Sequence, residues 1–167
     1  MIKYSGKIFQ VHQEESIVDG EKFTFDTVLK NKVVAIIAMD ENNNIYLVRQ
    51  YRPGADEKLL EIPAGIIDDC ETSLSAAQRE LKEEVGATSN HWEFISCFYS
   101  SPGFTNEQVY LYLARDIELG EDNQDPDERI AVFKISLEEF INYTASDAKT
   151  KIASLEMALK HSDYREF

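Results

Sequence analysis

Residues 65–87, GIIDDCETSLSAAQRELKEEVGA, restrict this chain more tightly than any other stretch. A helix is expected to fill the second half. Thr72 or Ser73 supplies an N-cap oxygen. Leu74, Ala77, Leu81 and Val85 recur at helical spacing and predict one buried stripe. Gly86 suits the left-handed position that ends a helix. Gly65 follows Pro63 and Ala64, so loops enter and leave the helix. Residues three and four apart share a helix face. Glu80, Glu83 and Glu84 are therefore expected together, roughly opposite the apolar stripe.

Three carboxylates this close repel one another and destabilise a helix. A divalent cation removes that penalty, and hard oxygen donors favour Mg²⁺ or Mn²⁺ over zinc. Mg²⁺ usually keeps waters and takes one or two carboxylates plus phosphate oxygens, which suits a pyrophosphate. A glutamate-rich helix face alone is ordinarily solvated surface. Here Gly65, Glu71, Arg79 and Gly86 frame it at fixed spacings.

The chain has 167 residues and is read as one domain. Its net charge of −14 disfavours nucleic acid. The same charge repels a nucleotide unless cations and local arginines reverse the field. Cys70 and Cys97 form no C-x-x-C pair. The N-terminus lacks an apolar leader core, and no apolar run reaches the roughly 18 residues of a membrane span. Free thiols and a cytoplasmic setting are expected.

Strands are expected at 22–29, 33–39, 45–52, 59–62, 92–100, 108–115 and 130–135. The turn residues 40–44 predict a hairpin of 33–39 with 45–52. Ser136 and Asp147 are candidate N-caps for helices near 137–143 and 148–160. This order predicts an α+β fold with a mixed sheet.

The framed stretch resembles the Nudix box, G-x5-E-x7-R-E-U-x-E-E-x-G-U, with Ala87 in place of the last bulky aliphatic residue. A chance match is on the order of 10⁻⁹ per start position. The resemblance implies the Nudix α/β/α sandwich, with the box as loop-helix-loop. LVRQYR (47–52), LLEIPAG (59–65), YSSPGFTNE (99–107) and DAKT (147–150) resemble the ADP-ribose pyrophosphatase and ADP-sugar hydrolase branch. That likeness covers residues 33–160; residues 1–32 would be N-terminal strands that exchange across a homodimer twofold.

By this resemblance Glu80 and Glu84 hold metal, with Ala64 through its carbonyl, and Glu83 assists or binds a further ion. Arg79 orients Glu71 and the loop. Arg52 contacts the substrate diphosphate, with Arg49 as second candidate. Glu61 lines the nucleotide side, and Glu107 reads the terminal ribose or holds its loop. Glu128 best matches the water-activating carboxylate, with Asp127 and Glu107 as alternatives, because Pro126 and Ala131 replace usual acidic positions. The implied activity is Mg²⁺-dependent hydrolysis of ADP-ribose or a related ADP-sugar to AMP and a sugar phosphate. The rivals are another nucleoside-diphosphate sugar such as GDP-mannose, and a non-catalytic module that senses ADP-ribose.

Overall fold

Val33–Met39 is apolar at every position, and the computed structural model shows why: both faces of this strand are covered. The structure describes residues 1–120 and 130–163. In chain order these form β1 (Ile2–Ser5), β2 (Gln10–Val18), β3 (Glu21–Leu29), β4 (Val33–Met39), β5 (Asn44–Arg52), β6 (Glu57–Glu61) and β7 (Ala64–Ile66). Then follow α1 (Ser73–Glu80), a π turn (Leu81–Val85), β8 (Ala87–Thr88), β9 (His91–Tyr99), β10 (Gln108–Arg115) and β11 (Glu118–Leu119). After the segment 121–129 come β12 (Ala131–Ser136), α2 (Leu137–Ile141) and α3 (Ala148–Asp163).

Successive side chains of β4 point to opposite faces. Val34, Ile36 and Ala38 pack with Ala76, Ala77, Leu81 and Val85 of α1 and the π turn. Ala35, Ile37 and Met39 pack with Phe140 of α2 and with Ala153 and Met157 of α3. Each fully buried Ile or Leu stabilises the fold by about 1.5–3 kcal/mol. Helices thus lie on both faces of one sheet, the expected α/β/α sandwich. The sheet is mixed, with order β12-β5-β4-β10-β9. β4 runs parallel to β10, and the other pairings are antiparallel.

The hairpin expected of 33–39 with 45–52 is only partly made. Its turn forms, with Asn43 at φ 58° and Asp40 accepting from the backbone N–H of Asn42 and Asn44. The β4–β5 ladder then stops after two pairs, Ala38–Tyr46 and Met39–Ile45. Beyond them β5 pairs with β6 and β4 with β7. Pro63 has no N–H to continue a ladder, so the chain breaks between β6 and β7. Its carbonyl accepts from Ile36 N–H at 2.8 Å. The fork between β4 and β5 therefore holds residues 61–64.

The box helix differs from its expectation in three ways. Thr72 is the N-cap, in a capping box with Ser75, and Gly86 ends the segment at φ 72°, as expected. The α-helix stops at Glu80, however, and residues 81–85 form the wider π turn, a feature frequent at functional sites. Nor do Glu80 and Glu84 lie opposite the apolar stripe. At about 3.6 residues per turn they flank Leu81 and Val85, and all four are buried. Leu74, in the first turn, is the exposed one.

β1, β2 and β3 form a separate antiparallel sheet. β2 and β3 pair along their full length around Asp19-Gly20, both at positive φ, the geometry of a tight hairpin turn. This sheet meets the rest mainly through the 101–107 loop. Val28 N–H donates to the Phe104 carbonyl at 2.7 Å, and Asn106 N–H to the Val28 carbonyl at 3.3 Å. Among the described residues no helix is long and apolar enough to cross a membrane.

Candidate active site

Two groups of charged side chains meet at the β4–β5 fork. The first centres on Arg79. Its Nε and Nη2 donate to Glu71 at 3.2 and 3.0 Å, and its Nη1 to Glu80 at 2.6 Å and to Glu83 at 2.9 Å. Nη2 also donates to the Ile66 carbonyl at 2.8 Å, which ties the entering loop to the helix. The Glu71 hydrogen bonds hold Arg79 well above its ordinary pKa, against burial. The same bonds hold Glu71 below the usual carboxylate range.

Glu80 and Glu84 are 9% and 5% exposed, whereas the Glu83 side chain is 49% exposed. The Glu80 carboxyl lies on the bare backbone of Gly65. A Cβ there would stand 1.9 Å from its Cδ and Oε1. Glu84 is held by neutral donors: Gln50 Nε2 bonds its Oε1, and Ala64 N–H bonds its Oε2 at 2.9 Å. The fork thus sets Gly65 against one box carboxylate and Ala64 against the other.

The second group centres on Glu61, which is 1% exposed. Arg52 donates to it through Nε at 3.1 and 3.2 Å and through Nη2 at 2.7 Å. Lys149 also bonds Glu61, and it reaches Asp147 at 3.0 Å. Burial alone would raise the Glu61 pKa, but Arg52 and Lys149 outweigh it and hold the carboxyl low. Asp147 is balanced the same way by Lys149 and by the Thr150 N–H that it caps. The charges of Glu84 and Asp147 both act on Arg52, so the two groups share one field. Arg49 instead lies over the Phe133 ring, 4.3 Å from its centroid.

Glu107 sits at the end of the 101–107 loop and pairs with Lys30, which follows β3. Burial pushes its pKa up, and the hydrogen bonds from Lys30 and Ser100 pull it down below the usual range. Phe104, in the same loop, is 58% exposed and takes no part in the core. Glu128 and its alternative Asp127 lie outside the described residues. Gln50, Lys30 and Lys149 are contributors that the sequence did not single out. Gln50 and Lys149 stand inside LVRQYR and DAKT, but nothing in either motif says which carboxylate they meet. Lys30 carries no local signal.

Glu61, Glu71, Glu80, Glu83, Glu84, Glu107 and Asp147 face Arg52, Arg79, Lys30 and Lys149. Carboxylates outnumber cations, which repels a diphosphate unless divalent cations intervene. Among the described residues no cluster of three His, Cys, Asp or Glu forms a ready-made metal cage. Mg²⁺ does not need one, because one or two carboxylates with water and phosphate suffice. The buried pair Glu80 and Glu84, one lying on the bare backbone of Gly65 and the other beside Ala64, fits such an ion.

A family model described as the NUDIX domain matches residues 29–155. The ADP-ribose pyrophosphatase of Bacillus subtilis (strain 168) is 32% identical over 166 residues, covering 95% of this chain and 90% of that protein. The methanol dehydrogenase activator of Bacillus methanolicus is also 32% identical, over 169 residues and 95% and 91% of the two chains. A crystal structure of an ADP compounds hydrolase superposes with a TM-score of 0.82 at 19% identity, covering 99% of this chain and 92% of that one, a likeness of fold. With the family model spanning most of its length and the box residues gathered at one fork, this chain belongs to the Nudix family.

Proposed function

We propose that the chain hydrolyses the diphosphate of ADP-ribose or a related ADP-sugar, with Mg²⁺, to AMP and a sugar phosphate. The observation that carries this reading is the buried Glu80/Glu84 pair beside the side-chain-free backbone of Gly65. A structural helix face would leave both carboxylates in water. The two relatives of equal identity bear different names, so identity alone does not choose the substrate. The LLEIPAG and SPGFTNE segments, which build the fork and the Glu107 loop, favour the ADP-sugar branch.

When bound, Mg²⁺ supplies Lewis-acid polarisation and charge neutralisation at the diphosphate. Glu80 and Glu84 would hold it, with the Ala64 carbonyl, and Glu83 assisting. Arg79 fixes Glu80 and the loop carrying Glu71. Arg52 donates Nε and Nη2 to Glu61, and its Nη1 makes no hydrogen bond among the described residues. That edge is the donor we assign to the diphosphate. Water attacks one phosphorus, the new P–O bond forms, and the bridging P–O bond breaks. For ADP-ribose the products are AMP and ribose 5-phosphate. Glu128 is assigned the water's proton from its place in the sequence. Glu107 suits that task less, because a general base works best with a pKa near the working pH and Lys30 holds Glu107 low. It holds its loop instead.

A homodimer through β1–β3 is part of the same reading. Ile2, Tyr4, Ile17, Phe23 and Phe25 are exposed on that sheet; light scattering is expected to give twice the chain mass, and the mass of a single chain would refute the dimer. Exposed, unpaired Cys70 and Cys97 suit a reducing, cytoplasmic setting.

Incubating ADP-ribose, GDP-mannose, NADH and 8-oxo-dGTP with the protein, with and without Mg²⁺, tests the activity. AMP release from ADP-ribose only with Mg²⁺ is expected. Preference for the triphosphate refutes the branch. Binding of ADP-ribose without AMP release points to the sensing module.

A further inference from the structure

We infer that Lys149 is a positioning residue that frees one edge of Arg52 for the substrate's diphosphate. The inference rests on the reading of Arg52 given above. Lys149 stands at the start of α3 and bonds Glu61 and Asp147. Its side chain is only 16% exposed, so it is built into the fork. Glu61 is the shared acceptor of Lys149 and Arg52.

Glu61 and Asp147 are two mostly buried anions, and Lys149 and Arg52 are the cations that balance them. With both cations present, Arg52 needs to neutralise only about half of this pair. Without Lys149, two carboxylates compete for one guanidinium. Arg52 is then drawn onto them, and the fork becomes one unit more negative toward an incoming diphosphate. Its field already includes Glu84. Lys149 also acts electrostatically on Glu107, so its charge reaches both walls of the site. At an effective dielectric of about 20, a unit charge roughly 10 Å from the phosphates changes affinity about tenfold.

The test compares Lys149→Met, Lys149→Arg and Lys151→Met. Lys151 is exposed on the same helix, so its loss changes net charge equally, away from the fork. KM and kcat for ADP-ribose are measured with Mg²⁺. Calorimetric Kd for ADP is measured with Mg²⁺, with the absence of AMP release checked alongside, so binding is read without turnover. Lys149→Met is expected to raise both KM and the ADP Kd about tenfold with kcat within about twofold. Lys149→Arg is expected to restore them, and Lys151→Met to leave them unchanged. The inference is overturned if Lys149→Met and Lys151→Met behave alike, if kcat falls with KM unmoved, or if wild-type protein does not bind ADP. Should Lys149→Met not fold, failure of Lys149→Arg to retain wild-type KM and Kd overturns it too, and retention supports it. Absence of AMP release by wild-type protein overturns the proposed activity alone, since the ADP arm still tests Lys149.

Discussion

Replacing Gly65 by Ala asks whether the Glu80 carboxyl has to lie on bare backbone. The new Cβ would stand 1.9 Å from Glu80 Cδ and Oε1 and 2.3 Å from Oε2. Favourable contacts begin at about 3.5 Å, so the carboxyl must retreat by more than about 1 Å. The backbone itself is unstrained, because Gly65 pairs with Val34 in an ordinary strand register. Retreat weakens the 2.6 Å Arg79 bond. A charged hydrogen bond contributes about 1.5–3 kcal/mol, reduced here to about 1–2 because Arg79 is partly solvated. For a chain of this size that lowers Tm by about 2–8 °C. Turnover suffers more, since a misplacement of about 1 Å costs on the order of 100-fold. The assay is AMP release from ADP-ribose at saturating Mg²⁺, with thermal unfolding alongside. A folded Gly65→Ala protein with wild-type kcat would refute the placement of Glu80 at the reacting centre.

Thr150 is fully buried, and its Oγ1 accepts the Ile62 N–H at 3.0 Å. Thr150→Val keeps the shape and orphans that donor, so urea unfolding should show a loss of about 1–3 kcal/mol, and the Ile62 amide should lose hydrogen-exchange protection. The Glu61 carboxyl is held below its ordinary pKa, burial notwithstanding, by Arg52 and Lys149. A depressed carboxylate stabilises the fold fully above its unfolded pKa, about 4.3, and loses that effect as pH falls through the folded value. Glu61→Gln should therefore be less stable than wild type by about 2–3 kcal/mol at pH 7, below the usual buried-pair cost because Arg52 reaches solvent. The gap should narrow below about pH 4 in denaturant titrations; a gap independent of pH contradicts the ion-pair account.

Val33–Met39 and Gln108–Arg115 have the bounds that their apolar runs predict, because strands buried on both faces write their burial into consecutive residues. β2, with the sequence QVHQEESIV, lies at the surface and shows no such pattern. The fork was invisible for a different reason. Where β4 and β5 part depends on β6 and β7 entering between them, and no residue in the hairpin encodes that. The box was legible because its spacings are fixed by the site. The helical spacing nevertheless puts Glu80 and Glu84 roughly opposite the apolar stripe, whereas the structure buries both beside it. For Glu84, what the helix pattern lacked was the donors that make burial tolerable, Gln50 and Ala64 N–H, supplied by the neighbouring strands; Glu80 meets Arg79 of its own helix. Lys149 meets Glu61 across 88 residues and Lys30 meets Glu107 across 77, contacts that no local motif announces.

The proposed grip of Glu80 and Glu84 on a divalent ion can be measured without turnover by titrating Mn²⁺ and following its paramagnetic resonance signal. Wild-type protein is expected to quench the free-ion signal, more strongly with ADP present, and folded Glu80→Gln/Glu84→Gln protein to leave it largely unquenched. Equal Mn²⁺ uptake by the two proteins would contradict the account.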